Sequence, residues 1–205
     1  MPNPARRSTN RTAGSLPVPG RPAHTIRIVG GRWRRSILQV PDKPGLRPTP
    51  DRVRETLFNW LGQDLQGWRC IDAFAGTGAL GLEAASRGAA QVLLIERDSE
   101  LRRLLHQQVE RLQAQDVQLQ AGDALQVMAR LPAEAYDLVF VDPPFDSDLF
   151  APALQIASQR IPVGGWVYLE APRPWLDADL AAWSLKIYRH LKAGAVHAHL
   201  LQRTA

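Results

Sequence analysis

The stretch YDLVFVDPPF, which runs from Tyr136 to Phe145, decides how this chain folds. Its β-branched and apolar residues stop at a carboxylate, Asp142, which two prolines and an aromatic ring follow. This pattern predicts a buried strand with Asp142 at its C-terminal tip. Pro143 and Pro144 cannot continue a hydrogen-bonded ladder, so we expect a stiff tip. Open α/β sheets bind ligands beyond the carboxyl ends of their strands, so the tip could hold a small planar group; the alternative is a plain strand that ends in a proline turn.

Strand-like and helix-like segments alternate from residue 69 to the C-terminus. Short apolar runs such as CIDAF, QVLLIE and GWVYLEA are separated by segments with apolar residues at helical spacing. The last segment, WSLKIYRHLKAGAVHAHLLQR, predicts two strands that turn at Ala193 and Gly194. We therefore predict an α/β fold with a mostly parallel seven-stranded sheet, helices on both faces and an antiparallel C-terminal hairpin.

A glycine-rich segment follows the first of these strands. Gly76, Gly78 and Gly81 satisfy the pattern G-x-G-x-x-G, and Glu96 lies 20 residues beyond Gly76, at the end of the next apolar run. Such glycines let the backbone approach a nucleotide-like ligand closely, and the acid can accept hydrogen bonds from ribose hydroxyls. Taken alone, this pattern fits an NAD-dependent oxidoreductase and does not name the ligand.

Asp72, at the end of the strand before the loop, favours a different ligand. A carboxylate here would repel a pyrophosphate but could orient an ammonium group. S-adenosylmethionine, which combines an amino acid with an adenosine, suits this better. Under that hypothesis Glu96 accepts hydrogen bonds from both ribose hydroxyls, and Asp123 accepts a hydrogen bond from the adenine amino group. The alternative for Asp123 is an ordinary helix cap before Ala124.

The charge of the chain is divided unevenly. The net charge is +5, but residues 1–54 hold twelve Lys or Arg and two acids, whereas the remainder holds 13 basic and 18 acidic residues. A basic end on a mildly acidic body is typical of a nucleic-acid binder with a separate working domain, although a basic tail can also be a solubilising arm. The residues expected to contact RNA are Arg32, Trp33, Arg34, Arg35, Arg47, Arg52 and Arg54. Arginine forks match phosphate oxygens, and Trp33 could stack on a base or instead pack beneath its own hairpin.

Composition divides the chain into three parts. Residues 1–24 contain five prolines and no apolar period, which predicts a disordered basic arm. Residues 25–62 predict a β-hairpin and a helix that bind RNA, and residues 63–205 form the main α/β domain. No apolar run is long enough to span a membrane, and the single cysteine, Cys70, excludes internal disulfides. His197 and His199 share a strand face but lack a third ligand, so we expect no metal centre.

Several motifs resemble those of class I S-adenosylmethionine-dependent methyltransferases that modify exocyclic amines. They are DAFAGTG at residues 72–78, the acid Glu96, and DPPF at residues 142–145. More narrowly, RIVGGRWR, LRPTPDRVRETLFNWL, FAGTGALGLEAASRGA and FVDPPF occur in the order found in the RsmD family, bacterial methyltransferases of guanine N2 in 16S ribosomal RNA. The resemblance runs from about residue 26 to the C-terminus. It implies a Rossmann-like methyltransferase domain over residues 63–205 and cofactor contacts from Asp72, Phe74, Gly76, Gly78, Glu96 and Asp123.

The same resemblance implies a catalytic role for Asp142, Pro143 and Phe145. A guanine exocyclic amine is a poor nucleophile because its lone pair is delocalised into the ring. The Asp142 carboxylate and the Pro143 carbonyl would accept its two N–H groups, while Phe145 stacks on a base that has been flipped out of its helix. Positioning would supply most of the catalysis, and no metal or covalent intermediate is needed.

Two other functions are compatible with the sequence. An enzyme of similar fold could methylate adenine N6 in RNA or DNA, although Asp142 stands where such enzymes often carry Asn. A non-catalytic RNA-binding ribosome assembly factor would be expected to have a damaged cofactor loop, whereas the loop glycines and Glu96 are in place. We expect a cytoplasmic monomer that acts on ribosomal RNA or the small ribosomal subunit, without a membrane or metal partner.

Overall fold

The computed structural model describes residues 24–43, 46 and 49–205. Its strands are β1 (His24–Arg27), β2 (Ile37–Val40), β3 (Arg69–Asp72), β4 (Gln91–Glu96), β5 (Val117–Ala121), β6 (Leu138–Val141), β7 (Trp166–Ala171), β8 (Leu185–Ala193) and β9 (Val196–Arg203). Its helices are α1 (Asp51–Trp60), α2 (Ala79–Ser86), α3 (Ser99–Leu112), α4 (Ala124–Ala129), α5 (Phe150–Arg160) and α6 (Asp177–Leu180), and a 3₁₀ turn follows at Ala181–Trp183. Arg47 and the predicted arm, except His24 in β1, lie outside the described residues.

Strands β3 to β9 form one seven-stranded sheet in the order β5-β4-β3-β6-β7-β9-β8. Strands β3 to β7 run parallel, and β9 runs antiparallel to both β7 and β8. The predicted α/β fold, its mostly parallel sheet and its antiparallel C-terminal hairpin are thereby confirmed. The chain moves outward from β3 through β4 to β5, then returns to the other side of β3 with β6. The carboxyl ends of β3 and β6 therefore flank the topological switch point, where open α/β sheets bind ligands.

Strand β6 is apolar along its whole length because helices cover both faces of the sheet. Its four residues, Leu138 to Val141, are all 0% exposed. Phe140 packs in the core cluster that includes residues of α1, α2 and α3, while Val139 and Val141 pack in the cluster with α4 and α5. Burial of each such side chain contributes about 1.5–3 kcal/mol. The strand that carries the candidate catalytic tip is thus anchored from both sides.

The N-terminal hairpin and α1 share a core with the sheet. Ile26 and Leu38 of the hairpin and Leu57 and Phe58 of α1 are buried in the same cluster as Phe140. The Phe58 and Phe140 ring centroids lie 6.3 Å apart. The predicted division between residues 62 and 63 therefore does not coincide with a break in the hydrophobic core. The hairpin is therefore held in a fixed position relative to the sheet.

The structure bears on the expectations about membrane spans and about the single cysteine. Within them, no helix combines the length and apolar character needed to cross a membrane. Cys70, in β3, is 0% exposed and packs as a small apolar side chain. Burial raises the pKa of its thiol, which opposes formation of a reactive thiolate.

Candidate active site

The candidate catalytic tip follows β6 directly. Asp142 and Phe145 are partly exposed there, and Pro143 between them is buried. The Pro144 carbonyl accepts hydrogen bonds from the Ser147 N–H at 3.1 Å and from its hydroxyl at 2.6 Å. This turn and the two prolines fix the backbone, because proline restricts both its own φ and the residue before it. The tip therefore presents Asp142 and Phe145 together at the switch point.

Three carboxylates from neighbouring strands lie at this end of the sheet. Asp72 ends β3, Asp142 follows β6, and Glu170 is the penultimate residue of β7. Val141 pairs with Leu169, so Asp142 and Glu170 are the next residues in that register. Burial raises the pKa of Asp72 to about 7 and the pKa of Asp142 well above its usual range, and nearby acids add to both effects. The site is electronegative, which suits a cation or a hydrogen-bond donor.

The glycine loop is held to the end of β4 by Glu96. Glu96 Oε2 accepts the Gly76 N–H at 2.9 Å, and Oε1 accepts the Asp98 N–H at 2.8 Å. Each carboxylate oxygen has further acceptor capacity, so Glu96 can still take a ribose hydroxyl. Gly78 has a φ of +77°, and a Cβ atom there would lie 2.6 Å from Leu105 Cδ2. Glycine is required at that position for both reasons.

Asp72 has a structural contact that the sequence did not predict. Its side chain is 2% exposed, and Oδ2 accepts the Gly81 N–H at 2.9 Å, in the first turn of α2. A Cβ atom at Gly81 would lie 2.3 Å from Leu94 Cδ2 and 3.0 Å from Asp72 Oδ2, so the third glycine of the motif allows helix and sheet to approach closely. Asp72 therefore fixes the start of α2 with one oxygen, and its contact with an ammonium group stays a prediction.

The remaining predicted cofactor residues line the same end of the sheet. Asp123 Oδ1 accepts the Gln126 N–H at 3.1 Å, so Asp123 does cap α4, as the alternative interpretation held. Phe74 is partly exposed in the glycine loop. The donor set at this edge consists of carboxylates and backbone groups. It fits the amine, hydroxyls and sulfonium cation of S-adenosylmethionine better than it fits a pyrophosphate.

Most of the described residues predicted to contact RNA lie on the surface. The exposed ones are Arg32, Arg34, Arg35 and Arg52. Arg32 forms an ion pair with Asp116, and its guanidinium lies 4.2 Å from the Trp33 ring centroid. Trp33 packs against the core cluster, which was the alternative to base stacking. Arg34, Arg35 and Arg52 are thus the exposed arginines of this surface that form no ion pair with another described residue.

Arg54 does not belong to that surface, and the predicted RNA contact at this position is wrong. Its side chain is 0% exposed and donates to Glu83 at 3.2 Å and to Asp51 at 2.6 Å. Glu83, also 0% exposed, accepts the backbone N–H groups of Val29 and Gly30, both at 2.7 Å. A guanidinium enclosed by protein acceptors cannot reach a phosphate. Arg54 and Glu83 instead fasten the hairpin and α1 to α2.

Glu170 and Tyr168 are buried polar residues next to the candidate site that the sequence reasoning missed. The Tyr168 hydroxyl donates to Glu170 Oε1 at 2.8 Å, and both side chains are buried. The available signal was a carboxylate near the end of the otherwise apolar run GWVYLEA, since an acid is rarely buried without a partner or a function.

Three histidines of the C-terminal hairpin have stacked rings. The register places His190 of β8 opposite His199 of β9, with ring centroids 4.6 Å apart, and His197 lies 5.2 Å from His190. No group of three or more potential metal ligands is found among the residues that the structure describes.

The chain was compared with known families, proteins and structures. The sequence model of the family described as Conserved hypothetical protein 95 matches residues 26–202. Ribosomal RNA small subunit methyltransferase D of Escherichia coli K12 is 42% identical over 187 residues, which cover 88% of this chain and 91% of the relative. The Haemophilus influenzae protein of the same name is 39% identical over 140 residues, which cover 66% and 72% of the two chains. The family match extends over both the hairpin and the sheet.

The solved structure of yhhF from Escherichia coli has the same architecture. It gives a TM-score of 0.76 at 36% identity and covers 89% of this chain and 99% of its own. Together with the length of the sequence matches, this agreement shows common descent and not only a common fold. The chain therefore belongs to the ribosomal RNA small subunit methyltransferase D (RsmD) family and is a methyltransferase with a Rossmann-like fold.

Proposed function

We propose that this protein uses S-adenosylmethionine to methylate the N2 amine of a guanine in small-subunit (16S) ribosomal RNA. The observation that carries the proposal is the stiff Asp142-Pro143-Pro144-Phe145 tip at the switch point, beside the glycine loop, in a member of this family. Relatives that match most of the chain are named for small-subunit ribosomal RNA methylation. We place the activity in the cytoplasm, on ribosomal RNA or the small subunit, and expect a monomer.

The tip residues orient the amine. The Asp142 carboxylate and the Pro143 carbonyl accept hydrogen bonds from its two N–H groups, and Phe145 stacks on the flipped base. Aligning a weak nucleophile with its electrophile removes much of the entropic barrier, which is the main contribution we assign to these residues.

The glycine loop and the neighbouring acids hold the cofactor. When bound, S-adenosylmethionine supplies an electrophilic methyl group: the N–C bond forms as the C–S bond breaks, and sulfur keeps the electron pair. Gly76 and Gly78 allow the backbone to approach the cofactor closely, and Glu96 accepts its ribose hydroxyls. The remaining cofactor contacts come from Asp72, Phe74 and Asp123. The exposed arginines Arg34, Arg35 and Arg52 bind RNA phosphates, with Arg32 and Trp33 beside them.

The test is labelled methyl transfer to small ribosomal subunits and to naked 16S RNA from cells that lack this protein, followed by nucleoside analysis. We expect N2-methylguanosine as the labelled product. N6-methyladenosine would reassign the enzyme to the other exocyclic amine, and the absence of any labelled nucleoside would favour a non-catalytic assembly factor.

A further inference from the structure

Glu170 lies beside Asp142 in the interior of the protein. It is 3% exposed and sits on β7, the strand that neighbours β6. The register pairs Phe140 with Tyr168 and Val141 with Leu169, which brings Glu170 level with the residue that follows β6. Thr49, at the entrance to α1, is buried and helps to lower the pKa of Glu170, so the N-terminal unit lies close to this position.

Three groups stabilise the ionised form of Glu170. The Tyr168 hydroxyl donates to Oε1 at 2.8 Å, the polar side chain of Thr49 lies nearby on the side of α1, and the buried guanidinium of Arg54 provides a positive charge. Burial still raises the pKa of Glu170, and these three groups oppose that effect. Of the two carboxylates, Glu170 is therefore the one surrounded by groups of the protein that favour its ionised form. Asp142 lies at the partly exposed tip.

The charges that act on Asp142 come from every strand beside it. They are Glu170 of β7 on one side and Asp72 of β3 on the other, while Tyr168 of β7 and Glu96 of β4 are the titratable groups next to these two carboxylates. Partial burial and the negative charges of Glu170 and Asp72 raise the pKa of Asp142. Arg54 acts on this set through Glu170. Because Glu170 raises the pKa of Asp142, we expect the two carboxylates to titrate in coupled steps.

We propose that Glu170 is a positioning residue whose buried carboxylate makes Asp142 a proton acceptor for the methylated amine. The inference rests on the proposed function in that Asp142 is taken to face that amine. Methylation leaves a positive charge on the amine nitrogen, which must release one proton as the C–S electron pair stays on sulfur. Asp142 takes that proton and, because its tip is partly exposed, returns it to water. Without a neighbouring charge an aspartate is a weak base, poorly matched to this task.

The test compares the protein with its Glu170→Gln variant, which keeps an oxygen for the Tyr168 hydroxyl but removes the charge. Carboxyl-carbon NMR titration of the free protein, with the Asp142 signal assigned from Asp142→Asn, measures the Asp142 pKa without any substrate. We expect the Asp142 ionisation constant to rise by about tenfold or more, as loss of a nearby charge in a medium of low polarity implies. The acid limb of the pH profile for methyl transfer to small subunits should move to lower pH by the same amount.

Two further variants separate this role from a general loss of structure. Tyr168→Phe removes one donor from the ionised form of Glu170, so Glu170 should hold its own proton more tightly. With less negative charge beside it, Asp142 should again titrate at lower pH. Glu110→Gln removes a charge from the exposed face of α3 and should leave the Asp142 titration unchanged. If Glu170→Gln does not fold, Tyr168→Phe decides the matter.

An Asp142 titration that is the same in the parent protein and in these β7 variants overturns the inference. The two proposals fail in different ways. A product other than N2-methylguanosine refutes the proposed substrate, whereas the NMR titration reports on the Asp142–Glu170 pair whatever the product is.

Discussion

Arg54 Nη1 lies 3.2 Å from Glu83 Oε2, and both side chains are completely buried. The pair joins α1 to α2, the helix that begins directly after the glycine loop. Glu83 also accepts the backbone N–H groups of Val29 and Gly30, so the basic hairpin and α1 are both tied to one carboxylate of α2. The surface proposed to hold RNA is thereby fixed relative to the site proposed to hold the methyl donor.

Replacing Glu83 should destabilise the whole protein. Glu83→Gln removes the fully buried carboxylate that pairs with Arg54, and loss of one partner from a buried ion pair typically costs about 3–5 kcal/mol of unfolding free energy. Urea unfolding measures the loss. The matched control is Glu55→Gln on the exposed side of α1, which should change stability by no more than about 0.5 kcal/mol. Equal stabilities for the two variants would show that the pair does not anchor the hairpin.

Asp142→Asn should abolish most methyl transfer while sparing cofactor binding. Asparagine keeps one acceptor oxygen but cannot take a proton, so we expect the rate to fall by about 10²–10⁴-fold. Calorimetry with S-adenosylmethionine should give an affinity close to that of the parent protein. A variant that methylates at nearly the parental rate would remove Asp142 from the mechanism.

The exposed arginines of the hairpin should control RNA affinity and its dependence on salt. The double substitution of Arg34 and Arg35 by Ala removes two phosphate contacts, so the slope of log affinity against log salt should become shallower by roughly 1.5–2. Filter binding to 16S RNA over a range of salt concentrations measures both quantities. Arg130→Ala, at the exposed end of α4 on the opposite face of the sheet, is the control and should change neither.

Gly78→Ala should damage the cofactor loop more than backbone strain alone explains. The φ of +77° and the 2.6 Å approach to Leu105 Cδ2 both oppose a methyl group. We expect a loss of about 2 kcal/mol or more in stability and at least a tenfold loss of S-adenosylmethionine affinity. Gly194→Ala provides the comparison, since Gly194 has a φ of +62° and a Cβ atom at that position would meet nothing within 4 Å. Its cost should be about 1 kcal/mol, with no effect on cofactor binding.

His199 should make the protein less stable in mild acid. Its ring is 0% exposed, Trp175 N–H donates to Nε2 at 3.2 Å, and burial lowers the pKa of His199 from 6.5 to about 4. The unfolded chain therefore binds a proton between pH 6.5 and 4 that the folded protein does not, and stability falls as the pH drops through that window. Linkage puts the loss at about 3 kcal/mol. Urea unfolding of the parent protein and His199→Leu at pH 7 and pH 4 should show a smaller loss in the variant; parallel losses would contradict this.

Local patterns were sufficient to predict the fold and the position of Asp142 at the end of a buried strand. The apolar run that ends at Asp142 and its prolines, and the glycines that follow Asp72, report on backbone conformation within a few residues, so they can be interpreted without knowledge of the partner strands. The charge division of the chain likewise indicated a basic N-terminal surface.

The tertiary structure alone decided which charged side chains are free and which are engaged. In the sequence, Arg54 and Arg52 look equivalent, since both belong to the same basic helix start. In the structure, Arg54 is buried against Glu83, which lies 29 residues away in the sequence. Asp72 turns to the start of α2, and Glu170 comes beside Asp142 only because β6 and β7 are adjacent in the sheet. Neighbouring residues determine local conformation, but the environment of a buried charge depends on groups brought together by long-range packing, and no short pattern encodes that.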